Sequence, residues 1–186
     1  GSCVLSACSD DFLQTDSPNQ PSQSTYWQTE SDALMALTAC YDAMQSDHLY
    51  DDNVDGGGFG FLMRETSTDN GDHTWGAWMK GSTISMCTSS TTDACFTNYW
   101  KANYEVIKRC NLLVENIERI TTMDVAKIAA FKAEAIALRS LMYCNLISVF
   151  RDVPYLTMPL TLAEAEAPKT MRSEIVSSIL ADLKTH

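Results

Sequence analysis

The chain has few basic residues: 13 Lys and Arg stand against 24 Asp and Glu, for a formal net charge of −11. A nucleic-acid partner would need a basic face, so that class is excluded. No run approaches 18 apolar residues, so no stretch reads as a membrane-spanning helix. The three histidines, His48, His73 and His186, stand apart, and no Cys-x-x-Cys or Cys/His spacing suggests zinc. Ser/His/Asp contexts, phosphate loops and a recognisable carboxylate pair are also missing, so the chain is not expected to be an enzyme.

What remains is a folding composition. Of the 186 residues, 45% are hydrophobic and 20% charged, too apolar for a disordered chain. One domain, or a piece of a larger one, fits that length.

Leu5-Ser6-Ala7-Cys8 looks like a lipobox at the end of a bacterial secretory signal. Residues 1–8 are therefore set aside as residual signal, with Cys8 as the lipidation site. Ser9-Asp10-Asp11 resembles an export tag for the outer face of the outer membrane. Residues 9–25, rich in Ser, Asp, Gln and Pro, read as an extended tether. Among the other cysteines, Cys40, Cys110 and Cys144 fall in expected helices and read as buried thiols. Cys87 and Cys95 bracket a polar loop, and export would permit a bridge between them.

Helical signals dominate residues 26–186. Thr29 and Asp32 predict a capping box for a first helix whose stripe is Leu34, Leu37, Tyr41 and Met44. Tyr26 and Trp27 precede it as a staple. Residues 47–95 read as a long irregular region, with Gly56-Gly57-Gly58 and a Ser/Thr-rich tract. A second helix is expected from Phe96 to Ile120, capped by Asp93 or Asn98. Its stripe is Trp100, Tyr104, Ile107, Asn111, Val114 and Ile117. After Thr121-Thr122, Asp124 caps a third, very long helix. That helix runs along Ile128, Phe131, Ala135, Leu138, Leu141 or Met142, Leu146 and Val149, and stops at Pro154. Helices two and three form an antiparallel hairpin, the unit of a helical solenoid. A fourth helix starts near Thr170 or Ser173, with Ile175, Val176, Ile179 and Leu183 as its stripe. A hairpin unit without a successor leads us to expect a portion of a longer protein.

Five motifs in order resemble one family. They are Tyr26-Trp27-Gln28-Thr29-Glu30-Ser31-Asp32-Ala33 with Tyr41; Arg64-Glu65-Thr66-Ser67-Thr68-Asp69 followed by Trp75; and Trp100, Tyr104, Ile107 and Cys110-Asn111. Ala133-Glu134-Ala135, Leu138-Arg139, Tyr143 and Phe150 through Pro154 come next, then Arg172, Val176, Ile179 and Asp182-Leu183. Together they resemble the N-terminal part of the SusD/RagB family of outer-membrane nutrient-binding lipoproteins. The resemblance implies an all-α scaffold of tetratricopeptide-like hairpins, an α-α superhelix, beside a less regular ligand-binding lobe. It also implies a lid-like receptor that captures oligosaccharide or polysaccharide for a TonB-dependent transporter, attached to the membrane through its lipid anchor only. A peptide receptor of the same lid type and a helical-repeat adaptor that binds only the transporter stay open as alternatives.

Sugar recognition needs flat aromatic faces and a few orienting polar groups. Trp75 and Trp78 are the stacking candidates, with Arg64, Asp69, Asn70 and Asp72 beside them in sequence. Asp51, Asn53 and Asp55 with Gly56 resemble the opening of a calcium loop, but Leu62 stands where the bidentate Glu belongs. A solvated acidic turn is the stronger reading, and no other cofactor is expected. Arg139 and Asp152 read as structural residues, Arg139 buried and paired with an acid or a carbonyl. The family usually carries glycine where this chain has Arg151, which implies a turn with positive φ. That shape would cost an arginine about 1–2 kcal/mol. Either the turn differs here or a local contact offsets the strain.

Overall fold

The computed structural model describes residues 26–51, 58–71, 81–159 and 167–185. Among them lie seven α-helices: α1 Glu30–Met44, α2 Asp47–Tyr50, α3 Phe61–Thr66, α4 Gly81–Ser85, α5 Ala94–Asn116, α6 Val125–Phe150 and α7 Arg172–Thr185. Described residues form no strand, only an isolated antiparallel bridge between Val153 and Thr170. The architecture is all-α.

Helix α1 starts where its cap chemistry places it. The Thr29 side chain accepts from the Asp32 backbone N–H, and the Asp32 carboxylate accepts from Thr29 N at 2.7 Å. Its buried face differs from the expected stripe. Ala33, Leu37, Cys40 and Ala43 face inward, whereas Leu34 and Tyr41 are exposed. Small residues on that face let α1 approach α5 closely, an advantage that weighting by bulk overlooks. Tyr41 instead donates to Glu134 on α6 at 3.1 Å.

Helices α5 and α6 form the antiparallel hairpin, joined through a 3-10 turn at Ile117–Arg119. Ile120 and Met123 are buried and pin the connection to the core. The Asp124 carboxylate then accepts from the N–H groups of Ala126 and Lys127, opening α6. Helix α5 begins at Ala94, with Asp93 at the cap position. It is the hub: it packs on α6, α1 and α2, while α7 lies against α6.

By length and composition alone, α6 could cross a bilayer, but 56% of its most apolar window is buried inside the molecule. Met142 is the buried member of the Leu141/Met142 alternative. On α7 only Ile175 and Ile179 are buried; Val176 and Leu183 face outward.

Beyond α6, the backbone of residues 154–158 has no ladder to satisfy it. Side chains of the hairpin do so instead. Tyr104 donates to Pro154 O at 2.7 Å, and Asn111 Nδ2 to Leu156 O at 2.9 Å and Met158 O at 3.3 Å. Arg139 Nη1 donates to Thr157 O at 3.2 Å. The Tyr143 hydroxyl donates to Leu156 O and accepts from Leu156 N. Asp152 completes the passage by accepting from Arg172 N at 2.9 Å, which caps α7.

The cysteines decide one open alternative and correct one expectation. Cys87 and Cys95 both remain thiols. Thr88 N donates to Thr83 O and Cys87 N to Ile84 O, the paired bonds that close the end of α4 with Cys87 at φ 57°. That turn leaves Cys87 in solvent, whereas Cys95 is buried in the first turn of α5. Cys144, expected to be buried, is exposed.

Candidate functional site

The irregular region folds onto α5 through its short helices. Gly58 lies so close over α2 that a Cβ there would meet Asp51 O at 1.8 Å. Only glycine permits that approach. Next to it, Phe59 packs its ring on Tyr99, with centroids 4.6 Å apart. Arg64 on α3 donates from Nε to Phe59 O and from Nη2 to the Tyr99 hydroxyl, both at 3.0 Å. Its guanidinium therefore anchors the lobe to the hairpin. Burial is the main reason the Tyr99 hydroxyl is harder to ionise than usual; the Arg64 cation opposes this.

Asp69 and Asn70 lie beyond Arg64 on an exposed turn, where Thr68 Oγ1 accepts from Asn70 N at 3.2 Å. The structure thus places Arg64, Asp69 and Asn70 on one short segment. Asp72, Trp75 and Trp78 lie outside the described residues, as do the calcium candidates Asn53 and Asp55. Asp51 is exposed at the C-terminal end of α2. Among the described residues, no group of three or more acids, histidines or cysteines is placed to hold a metal.

Two of the concave surfaces along α5 among the described residues stand out, and sequence reasoning did not single them out. One, of about 570 Å³, runs between α5 and residues 156–159 and is lined by Trp100, Tyr104, Asn111, Leu156 and Met158. The other, of about 670 Å³, is more polar and lies among Asp42, His48, Asn98, Glu105 and Arg109. Trp100 and Tyr104 belong to the predicted helical stripe. Their four-residue spacing was visible, but nothing in sequence showed that the 156–159 strap would form the opposite wall.

At the head of the first groove the aromatic packing is continuous. Trp100 meets Phe150 edge-on at 5.0 Å, and Tyr143 meets Tyr155 at 4.7 Å. Burial pushes the Tyr104 and Tyr143 hydroxyls well above the ordinary tyrosine range, so both remain protonated donors. Arg139 is 4% exposed and closes the inner side. Its guanidinium reaches Asn111 Oδ1 at 2.9 Å, Thr157 O and Asp182 Oδ2 at 2.9 Å. Its acidic partner is Asp182; Asp152 serves the α7 cap instead.

A family model described as "Starch-binding associating with outer membrane" matches residues 11–186. The chain belongs to the SusD-like family. A SusD-like protein of Formosa agariphila is 27% identical over 185 residues, which cover 97% of this chain and 34% of that protein. This SusD-like chain thus spans about a third of the length of the curated relatives it matches. Among solved structures, a SusD-like carbohydrate-binding protein of Bacteroides fragilis aligns with a TM-score of 0.71 and 28% identity. The alignment covers 84% of this chain and 31% of that one. A laminarin-binding SusD-like protein aligns with a TM-score of 0.68 and 29% identity, covering 85% and 33%. These neighbours share the SusD-like helical fold described above.

Proposed function

We propose that this chain is the N-terminal helical portion of a surface receptor that captures oligosaccharide and delivers it to a TonB-dependent outer-membrane transporter. The observation that carries the reading is the family match across residues 11–186. The likeness to a laminarin-binding relative favours a glycan over a peptide. In this reading, residues 1–8 are the residual signal, Cys8 carries the lipid, and residues 9–25 tether the helical region 26–186 to the outer membrane. No nucleic acid and no catalytic step enter the scheme.

Labour is divided between hairpin and lobe. The α5–α6 hairpin is the support, because most of its buried polar groups, Asn103 Oδ1 excepted, are paired within the molecule and few are left to bind a ligand. The lobe carried on α3 presents Asp69 and Asn70 on an exposed turn, two to nine residues from Asp72, Trp75 and Trp78 in sequence. Tryptophan faces stack on sugar C–H edges, and amide and carboxylate oxygens orient hydroxyls. Calcium plays no required part.

The reading is tested by calorimetric titration of the full-length receptor with laminarin oligosaccharides, starch oligosaccharides and mixed peptides, alongside an assay for new reducing ends. Saturable glycan binding without new reducing ends is the expected result. Saturable binding of peptides alone would favour the peptide receptor. New reducing ends would overturn the non-catalytic assignment.

A further inference from the structure

Arg64 is the only lysine or arginine among the described residues of the 47–93 lobe, and its fork is partly committed. Nε donates to Phe59 O and Nη2 to the Tyr99 hydroxyl, each at 3.0 Å. Those two N–H groups form one of the edges with which a guanidinium grips an anion. That edge is bonded to the frame of the lobe. Acids dominate the rest: between residues 47 and 93 eight Asp and Glu stand against two Lys and Arg. Asp47, Glu65 and Asp69 are exposed, and none of them has an ion-pair partner among the described residues. Glu65 follows Arg64 directly, and Asp69 lies on the turn proposed to meet the ligand.

We propose that the lobe selects neutral glycans and rejects polysaccharides bearing uronate or sulfate groups. This selection presupposes the glycan-receptor reading and narrows it to one substrate class. To a polyanion, the described surface offers several like charges and only the Nη1 end of one guanidinium to offset them. Neutral sugar hydroxyls meet the same surface differently. Each O–H can donate to a carboxylate in a charge-assisted bond, with no repulsion to overcome.

Because these acids are exposed, their field is screened over one Debye length, about 8 Å at physiological salt. It therefore acts on a chain seated at the turn and fades beyond it. Discrimination of this kind carries a salt signature. Affinity for a neutral glycan does not change with ionic strength. Residual affinity for an acidic glycan rises as salt screens the repulsion, the reverse of what a cation-lined site shows.

The test is calorimetric titration of the full-length receptor, at low and at physiological salt, with two sets of oligosaccharides. Laminarin, starch and mannan oligosaccharides form the neutral set; alginate and carrageenan oligosaccharides form the acidic set. At least one neutral glycan should bind saturably, with a Kd unchanged by salt. Both acidic glycans should bind at least about tenfold more weakly than it, and more weakly still at low salt. Glu65→Lys reverses one exposed charge, and should narrow that gap at low salt while leaving neutral binding unchanged. An acidic glycan bound as tightly as the best neutral one, or a gap unmoved in folded Glu65→Lys, would overturn the charge selection and leave the glycan reading standing. Failure of every glycan in both sets to bind would remove the receptor reading and the selection together.

Discussion

Arg139 Nη2 lies 2.9 Å from Asp182 Oδ2, and this contact binds the long helix α6 to the last helix α7. The two partners are unequally buried, with side chains 5% and 34% exposed. Water can therefore solvate a lone Asp182 far better than a lone Arg139. Asp182→Ala strands a buried guanidinium and should cost about 3 kcal/mol, the lower end for breaking a buried pair. Arg139→Met removes the charge but also releases Thr157 and Asn111. Urea unfolding should show a lowered midpoint for both. If Asp182→Ala melted like the wild type, the pair would be incidental to the fold.

Arg151 ends α6 at φ 65° and ψ −95°, so the positive-φ turn is retained with an arginine in it. The conformation lies near the strained γ-turn region. Its neighbours hold it there: Phe150 packs on Trp100, Asp152 caps α7, and Val153 bridges to Thr170. Relieving the strain with Arg151→Gly should stabilise the protein by about 1 kcal/mol, net of the extra unfolded-chain entropy. The change would appear as a higher urea midpoint at unchanged m-value. A lower midpoint would mean that the arginine side chain supplies stability of its own.

Gly58 is expected to tolerate no side chain, because a Cβ would run into the carbonyls of Asp51 and Asp47. Gly58→Ala should destabilise the lobe by about 1–3 kcal/mol, as overpacking does. Hydrogen exchange can localise the loss. Faster exchange in α2 and α3, with α6 unchanged, is the expected pattern.

The capping box gives a pH dependence with a definite sign. Hydrogen bonds from the Thr29 side chain and backbone hold the Asp32 carboxyl below its usual range. A depressed folded value means the contribution is complete above the unfolded value, about 3.9, and is lost as pH falls through the folded one. Wild type and Asp32→Asn should therefore differ in melting temperature near neutral pH and converge in acid. Thr29→Ala should cost about 1 kcal/mol near neutrality.

Much of this fold was legible because local chemistry and long-range packing agree. The Thr29/Asp32 box, the Asp124 cap and the stop at Pro154 each depend on a few adjacent residues, and each bounds a helix where expected. The face of α1 was misread because close helix approach favours Ala33, Cys40 and Ala43 over larger neighbours. The hairpin's polar interior was only half visible. A buried Arg139 could be anticipated, but its partner could not, since Asp182 lies 43 residues away. The grooves beside α5 were not legible at all, because each is made by segments distant in sequence. For the candidate site, sequence supplied residue types and neighbours, while the structure adds the anchoring of Arg64 to Tyr99 and the exposed turn at Asp69 and Asn70.

The central claim, glycan capture through the lobe beside α5, is tested most directly by affinity electrophoresis of the full-length receptor in gels containing laminarin or starch. Wild type should be retarded by at least one polysaccharide. Trp75→Ala/Trp78→Ala should migrate as in a gel without polysaccharide while keeping the wild-type melting temperature. Undiminished retardation of that folded variant, or no retardation of the wild type by either polysaccharide, would contradict the account.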